Sequence, residues 1–280
     1  MGEAIALAVF GLLLGRFLNL TIDRLPPELS PDKSPDNSPD NSPDKSLDHT
    51  PEPDQQSSSH LGSLQGFMTL TMVPVVGHFG YLSRDQGGLK LFTRSLSVEL
   101  VTVGLCAYIG YQYGLTLGAA VLVLYCAVLI YLSFVDLERS IVPNKVVLPA
   151  LPVALALFPF TPLGQGWEMG EAYLRSLAGA GLGFGMLLLV FVASRGGIGA
   201  GDVKLAALLG AILGFPQVIA GLALGFVVGG LLGITILILR LKGLKEKMPY
   251  APALIIGVAA VLLVGSGIYG WYIDLFFGPN

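Results

Sequence analysis

A chain of 280 residues that is 53% hydrophobic and only 12% charged, with a mean hydropathy of +0.72, departs sharply from soluble domains, which carry about 25% charged residues. It reads as an all-α polytopic membrane protein. The net charge of −3 leaves no basic excess for nucleic acid, and Cys106 and Cys126, each inside an apolar run, suit buried packing better than a disulfide or a thiolate metal site.

A membrane-spanning helix needs about 20 mostly apolar residues. Eight stretches qualify, at roughly 4–22, 97–115, 117–135, 145–160, 174–194, 202–214, 216–240 and 252–274, the fourth and sixth being short. The first, in "MGEAIALAVFGLLLGRFLNLTI", is followed rather than preceded by positive charge. It therefore reads as a retained span with its N-terminus outside, not as a signal peptide. Residues 1–24 form this first unit, 25–95 a loop, and 96–280 a membrane domain holding spans 2–8. The loop contains "SPDKSPDNSPDNSPDKSLD", beginning at Ser30. Proline at every fourth residue blocks both helix and sheet, so residues 30–60 are expected to be a disordered, mildly acidic spacer. The rest of the loop, from "MTLTMVPVVGHFGYLSRDQGG" onward, is more hydrophobic and is expected to pack near the membrane. His49, His60 and His78 have no metal-ligand spacing.

Charge tests the span count. Of the 16 Lys and Arg residues, all but Arg175 fall in or beside the loops after spans 1, 3, 5 and 7. This asymmetry places those loops in the cytoplasm.

Ionisable groups in or beside spans are costly and by default mark function. The candidates are Asp23, Glu99, Asp136, Glu138, Asp202 and Asp274. Asp136 in "YLSFVDLERSIVPN" and Asp202 in "GAGDVK" lie far apart in sequence but at span ends on the same side. That is the placement a two-carboxylate site needs. From Val203 to the break at "GFPQ" a helix would rise about 18 Å, less than the roughly 30 Å hydrocarbon core. Asp202 is therefore expected at membrane depth. Irregular backbone is tolerated there only where protein buries it or a watery cavity meets it. Gly199 and Gly201 are accordingly expected to shape a cavity wall that a substrate backbone can approach. Read alone, the same stretch also fits a loop with a charged helix cap.

With Asp136 as partner, one carboxylate can act as base on a water while the other donates to a carbonyl oxygen. Asp202 opens a helix and Asp136 closes one, so helix ends assign Asp202 the initial base and Asp136 the acid. Lys204, two positions on, faces away from Asp202 and reads as an interfacial anchor. The alternative from another class is a transporter or channel using these carboxylates for ions or protons, although the two halves of the chain share no evident repeat.

Four stretches, "GRFLNLTIDRLP", "VDLERSIVPN", "GAGDVKLAALLGAILG" and "MPYAPALIIG", resemble motifs of the type IV prepilin leader peptidases, bacterial membrane aspartic endopeptidases of the GxGD class. The resemblance covers nearly all of the chain except the repeat. It implies catalytic roles for Asp136 and Asp202 and cleavage of prepilins or pseudopilins after a short basic leader. It also implies a bacterial inner membrane with the active site facing the cytoplasm. Bifunctional members then N-methylate the new N-terminus with S-adenosylmethionine. Many members carry two Cys-x-x-Cys pairs in the first cytoplasmic loop, fit for zinc. The corresponding stretch here keeps Arg94 and Glu99 but has no cysteine, so zinc is not expected and methylation loses one of its family hallmarks.

Overall fold

The computed structural model describes residues 1–24, 88–194, 199–239 and 249–277. The repeat, the three histidines, the glycines at 196 and 197 and the basic stretch at 240–248 lie outside the described residues. Among the described residues all regular structure is helical. The eight helices are α1 (Gly2–Asp23), α2 (Gly88–Tyr113), α3 (Leu117–Arg139), α4 (Asn144–Leu157), α5 (Met169–Ala193), α6 (Ala200–Leu213), α7 (Gln217–Ile238) and α8 (Ala251–Phe277). A short 3₁₀ turn, Phe158–Phe160, extends α4. The chain divides into two compact units. One is Arg24–Ser97, whose described part is Arg24 and the first turns of α2; the other, Met1–Asp23 with Val98–Asn280, holds everything that follows.

The eight expected spans correspond to these eight helices. In α1, α2, α3, α5 and α7 the apolar stretch is long enough to cross a membrane, whereas α4 with its 3₁₀ turn and the described apolar part of α8 are shorter. Helix ends differ from expectation where polar residues continue a helix past its apolar stretch. α2 begins at Gly88 instead of 97 and α5 at Met169 instead of 174. α3 runs to Arg139, a turn beyond 135, which places Asp136 inside its last turn. The helix stops where Ser140 turns into the left-handed region (φ 52°) and its N–H donates to the Asp136 carbonyl at 2.7 Å.

α6 is the centre of the bundle. At 14 residues it rises about 21 Å. Val203 and the whole run Leu205–Leu213 are buried, as expected for a helix apolar on every side. Its neighbour α5 meets it backbone to backbone. A β-carbon on Gly179 would run into the Gly210 carbonyl, and one on Gly183 into the Ala206 carbonyl. Ser176 Oγ donates to the Ala211 carbonyl at 2.7 Å along the same seam. At the end remote from Asp202, Arg175 Nη1 donates to the Phe215 carbonyl (3.2 Å), while the Phe215 N–H donates to the Arg175 carbonyl (2.9 Å). The Arg175 guanidinium lies 3.2 Å over the Trp167 ring. A second small-residue seam joins Gly221 and Gly225 of α7 to Gly257 of α8.

α1 approaches α2 through Gly11 and Gly15, where β-carbons would stand 3.0 Å from Cys106 Cβ and Glu99 Cα. Beside Gly15, buried Arg16 pairs with buried Glu99 at 3.2 Å, so Glu99 serves as an interhelical partner. Cys106 and Cys126 are free and buried.

Replacing Gly179 with Leu must separate α5 from α6 and is expected to cost about 1–3 kcal/mol. Gly181→Leu, where a β-carbon meets open space, should stay within about 0.5 kcal/mol of the parent. Thermal unfolding of the two purified variants in detergent checks the contrast.

Candidate active site

Asp136 is 3% exposed, in the last turn of α3. Its carboxylate turns away from its own helix end: Oδ2 accepts the Ala251 N–H, the first amide of α8, at 3.1 Å. The first amides of any helix lack an intrahelical partner. In α8, Pro252 has no N–H and the Leu254 N–H reaches the Tyr250 carbonyl at 3.3 Å. Asp136 supplies the acceptor for the first of the amides ahead of Leu254, that of Ala251, acting as a cap donated by another helix.

Asp202 is the third residue of α6, behind Gly199 as N-cap. Its Oδ2 accepts the Gly199 N–H at 3.3 Å, and its own N–H donates to the Gly199 carbonyl at 3.0 Å. Glycine has no side chain, so only the reciprocal half of a capping box is made. The remaining carboxylate surface of this half-buried residue is left for other work. The charge of Asp202 acts on Asp136, so the two carboxylates lie within electrostatic reach of each other.

Gly201 explains how the two motifs meet. A β-carbon on it would stand 3.2 Å from Cβ of Val142, in the turn after α3. The missing side chain lets the Asp136 and Asp202 segments close on each other, a role beyond the cavity wall expected from sequence. Lys204 anchors the same corner, its Nζ donating to Asn144 Oδ1 at 3.2 Å, as its placement away from Asp202 suggested.

The expected division of labour by helix ends loses its basis. It rested on where the Asp136 backbone lies, at the negative end of α3. A dipole acts where the carboxylate is, and that carboxylate lies on the positive end of α8. Both aspartates therefore face helix N-termini.

Sequence reasoning did not single out Tyr250. It is half-buried immediately before α8, and the charge of Asp202 acts on its phenol. Phe226 of α7 holds the ring at a centroid distance of 6.1 Å. A β-carbon on Gly229 would stand 2.6 Å from its Cε2, so glycine there makes room for it. The available signal was "MPYAPA", an aromatic between two prolines ahead of an apolar run, which marks a helix start but not its neighbours. Glu138 is exposed, and the side chain of Asp274 lies outside the described residues. Among the described residues no three His, Cys, Asp or Glu side chains gather into a metal-holding group.

The sequence model of the type IV leader peptidase family matches residues 123–234, the stretch that carries both aspartates. A prepilin leader peptidase/N-methyltransferase of Aeromonas hydrophila is 30% identical over 275 residues, covering 96% of this chain and 93% of its own. The chain belongs to the type IV leader peptidase family. Two further relatives bear the same name. The one from Bacillus subtilis is 30% identical over 182 residues (65% of this chain, 71% of its own), and the one from Pseudomonas aeruginosa 28% over 281 residues (95% and 92%). No solved structure matches. The family match runs from α3 into α7, so Tyr250 and Ala251 lie beyond it.

Removing the acceptor in Asp136→Ala leaves the Ala251 amide buried without a partner and should cost about 1–3 kcal/mol. Asp136→Asn keeps an acceptor oxygen and should stay within about 1 kcal/mol of the parent. Asp202→Ala, whose backbone partner Gly199 is exposed, should lose less than Asp136→Ala. Melting of the three variants in one detergent ranks them.

Proposed function

We propose that this membrane protein is an aspartic endopeptidase that removes the leader of type IV prepilins or pseudopilins, with Asp136 and Asp202 as its catalytic pair. The observation that carries this reading is the convergence of both carboxylates at one corner, where the end of α3 and the starts of α6 and α8 meet. One carboxylate, ionised, takes a proton from water as that water attacks the scissile carbonyl. The other, protonated, donates to the carbonyl oxygen; the proton taken from water then passes to the leaving amine as the C–N bond breaks, and the hydroxyl made from the carbonyl returns its proton to the other carboxylate. The α8 amide holds Asp136 in place. Asp202 has its backbone contact on the exposed Gly199 side, from which a peptide can enter. Gly199, without a side chain, leaves room there for the substrate backbone. We assign the Tyr250 phenol, on which the charge of Asp202 acts, the role of positioning that carboxylate or its water by hydrogen bonding. The orientation that fits is a bacterial inner membrane with the N-terminus outside and this corner at the cytoplasmic surface, where the basic residues concentrate.

The relatives' names pair the peptidase with an N-methyltransferase, for which S-adenosylmethionine is the methyl donor. The groove between α3, α4 and α6 is lined almost wholly by apolar residues. Lys145 at its end is the one cation in the lining that could meet that cofactor's carboxylate, and the proteolytic reading stands without it.

Co-expression with a candidate prepilin tests the proposal through the size shift of the product. Asp136→Asn and Asp202→Asn should each reduce cleavage by roughly a thousandfold or more; full processing by either would defeat the paired mechanism. Tyr250→Phe should lower kcat by about tenfold with KM little changed, the loss of one hydrogen bond to a charged group. Mass spectrometry of the product N-terminus reads methylation in the same experiment.

A further inference from the structure

A groove of about 360 Å³ opens between α3, α4 and α6. Leu124, Val128, Pro149, Val153, Leu208 and Ile212 line it, and no acidic residue does. Lys145 stands at one end, in the first turn of α4, on the side of the bundle that carries the aspartates. Lys204 brings a second cation there, since its Nζ reaches Asn144, the neighbour of Lys145. From Lys145 the groove follows α4 to Val153, a rise of about 12 Å. At its far end the Tyr125 hydroxyl donates to the Ala154 carbonyl at 2.7 Å, which closes the polar backbone there.

The groove is separate from the aspartate pair. Lys204, Leu208 and Ile212 recur every fourth residue and share one face of α6. Asp202, two positions before Lys204, points to nearly the opposite side. An apolar trough at membrane depth with two lysines at its mouth complements a molecule with an acyl chain and an anionic head. A peptide bearing basic residues would be repelled at the same mouth.

We propose that this groove is a binding site for an anionic glycerophospholipid, its acyl chain lying along α4 and its phosphate held by Lys145 and Lys204. Such a lipid clamps α3, α4 and α6 together beside the catalytic corner without entering it.

The test uses the full chain in nanodiscs of equimolar phosphatidylglycerol and phosphatidylcholine, with native mass spectrometry of the lipids retained on release. The parent protein should keep phosphatidylglycerol about tenfold over phosphatidylcholine, the preference two surface lysines supply. The double variant Lys145→Gln with Lys204→Gln should lose the preference yet still retain lipid. Ala150→Phe, which fills the trough, should lose most of the retained lipid of either kind while melting as the parent does. Val153→Trp, at a rim position 46% exposed, gives the same readout should the first filling variant fail to fold. Equal retention of both lipids by the parent, or a preference that survives the double lysine variant, overturns the proposal. So does a photoreactive side chain at Val153 that crosslinks to a co-expressed prepilin and not to lipid.

Discussion

The site depends on a backbone amide that has nowhere else to go. α8 starts inside the protein, where water cannot satisfy its first N–H groups, and an orphaned amide in such surroundings is expensive. Pro252 removes one donor, and the Tyr250 carbonyl accepts another from Leu254. Of the amides ahead of Leu254, that of Ala251 is met by the Asp136 carboxylate. This single bond ties the end of α3 to the beginning of α8 and fixes where one carboxylate oxygen stands. The side chain proposed to handle protons is thus also a structural cap, and its backbone is held by the Ser140 turn behind it. In the proposed mechanism, chemistry and fold share one residue.

The other half of the site is built by subtraction. A side chain at residue 201 would press on Val142 and push the Asp202 segment away from the turn that follows Asp136. Tyr250 could not reach the corner if residue 229 were larger. Small residues let backbones approach in membranes, and two of them here bear on the distances between the groups proposed to act in catalysis.

Much of this was legible in the sequence, and the reasons it stopped are physical. The number of helices among the described residues followed from runs of apolar residues, and the expectation that Asp136 and Asp202 lie on one side followed from counting crossings. Hydropathy records where a helix is greasy and not where it ends, so the polar first turns of α2 and α5 and the last turn of α3 were missed. The helix-end argument for base and acid lost its basis for a different reason. A sequence places a residue on its own helix, whereas an electric field depends on where the side chain goes, and Asp136 reaches across to α8. Contacts such as Val142 with Gly201, or Gly229 with Tyr250, join segments that no spacing rule connects. The loop bearing the repeat lies outside the described residues, and its reading stays an expectation.

The seam between α5 and α6 has a consequence for the height at which Asp202 stands. Most helix pairs meet through side chains that can change rotamer, so one helix can creep along the other and repack. Gly179 and Gly183 press directly on carbonyls of α6, and Ser176 and Arg175 fasten backbone atoms further along. A seam of main chain has no rotamers to exchange, and an axial slip of α6 by even one residue would drive a methyl or larger group into a carbonyl. α5 therefore acts as a gauge rod: it sets the height of Asp202 along the bundle, and with it, in the proposed mechanism, how far a substrate helix must rise before its cleavage point comes level with the carboxylates.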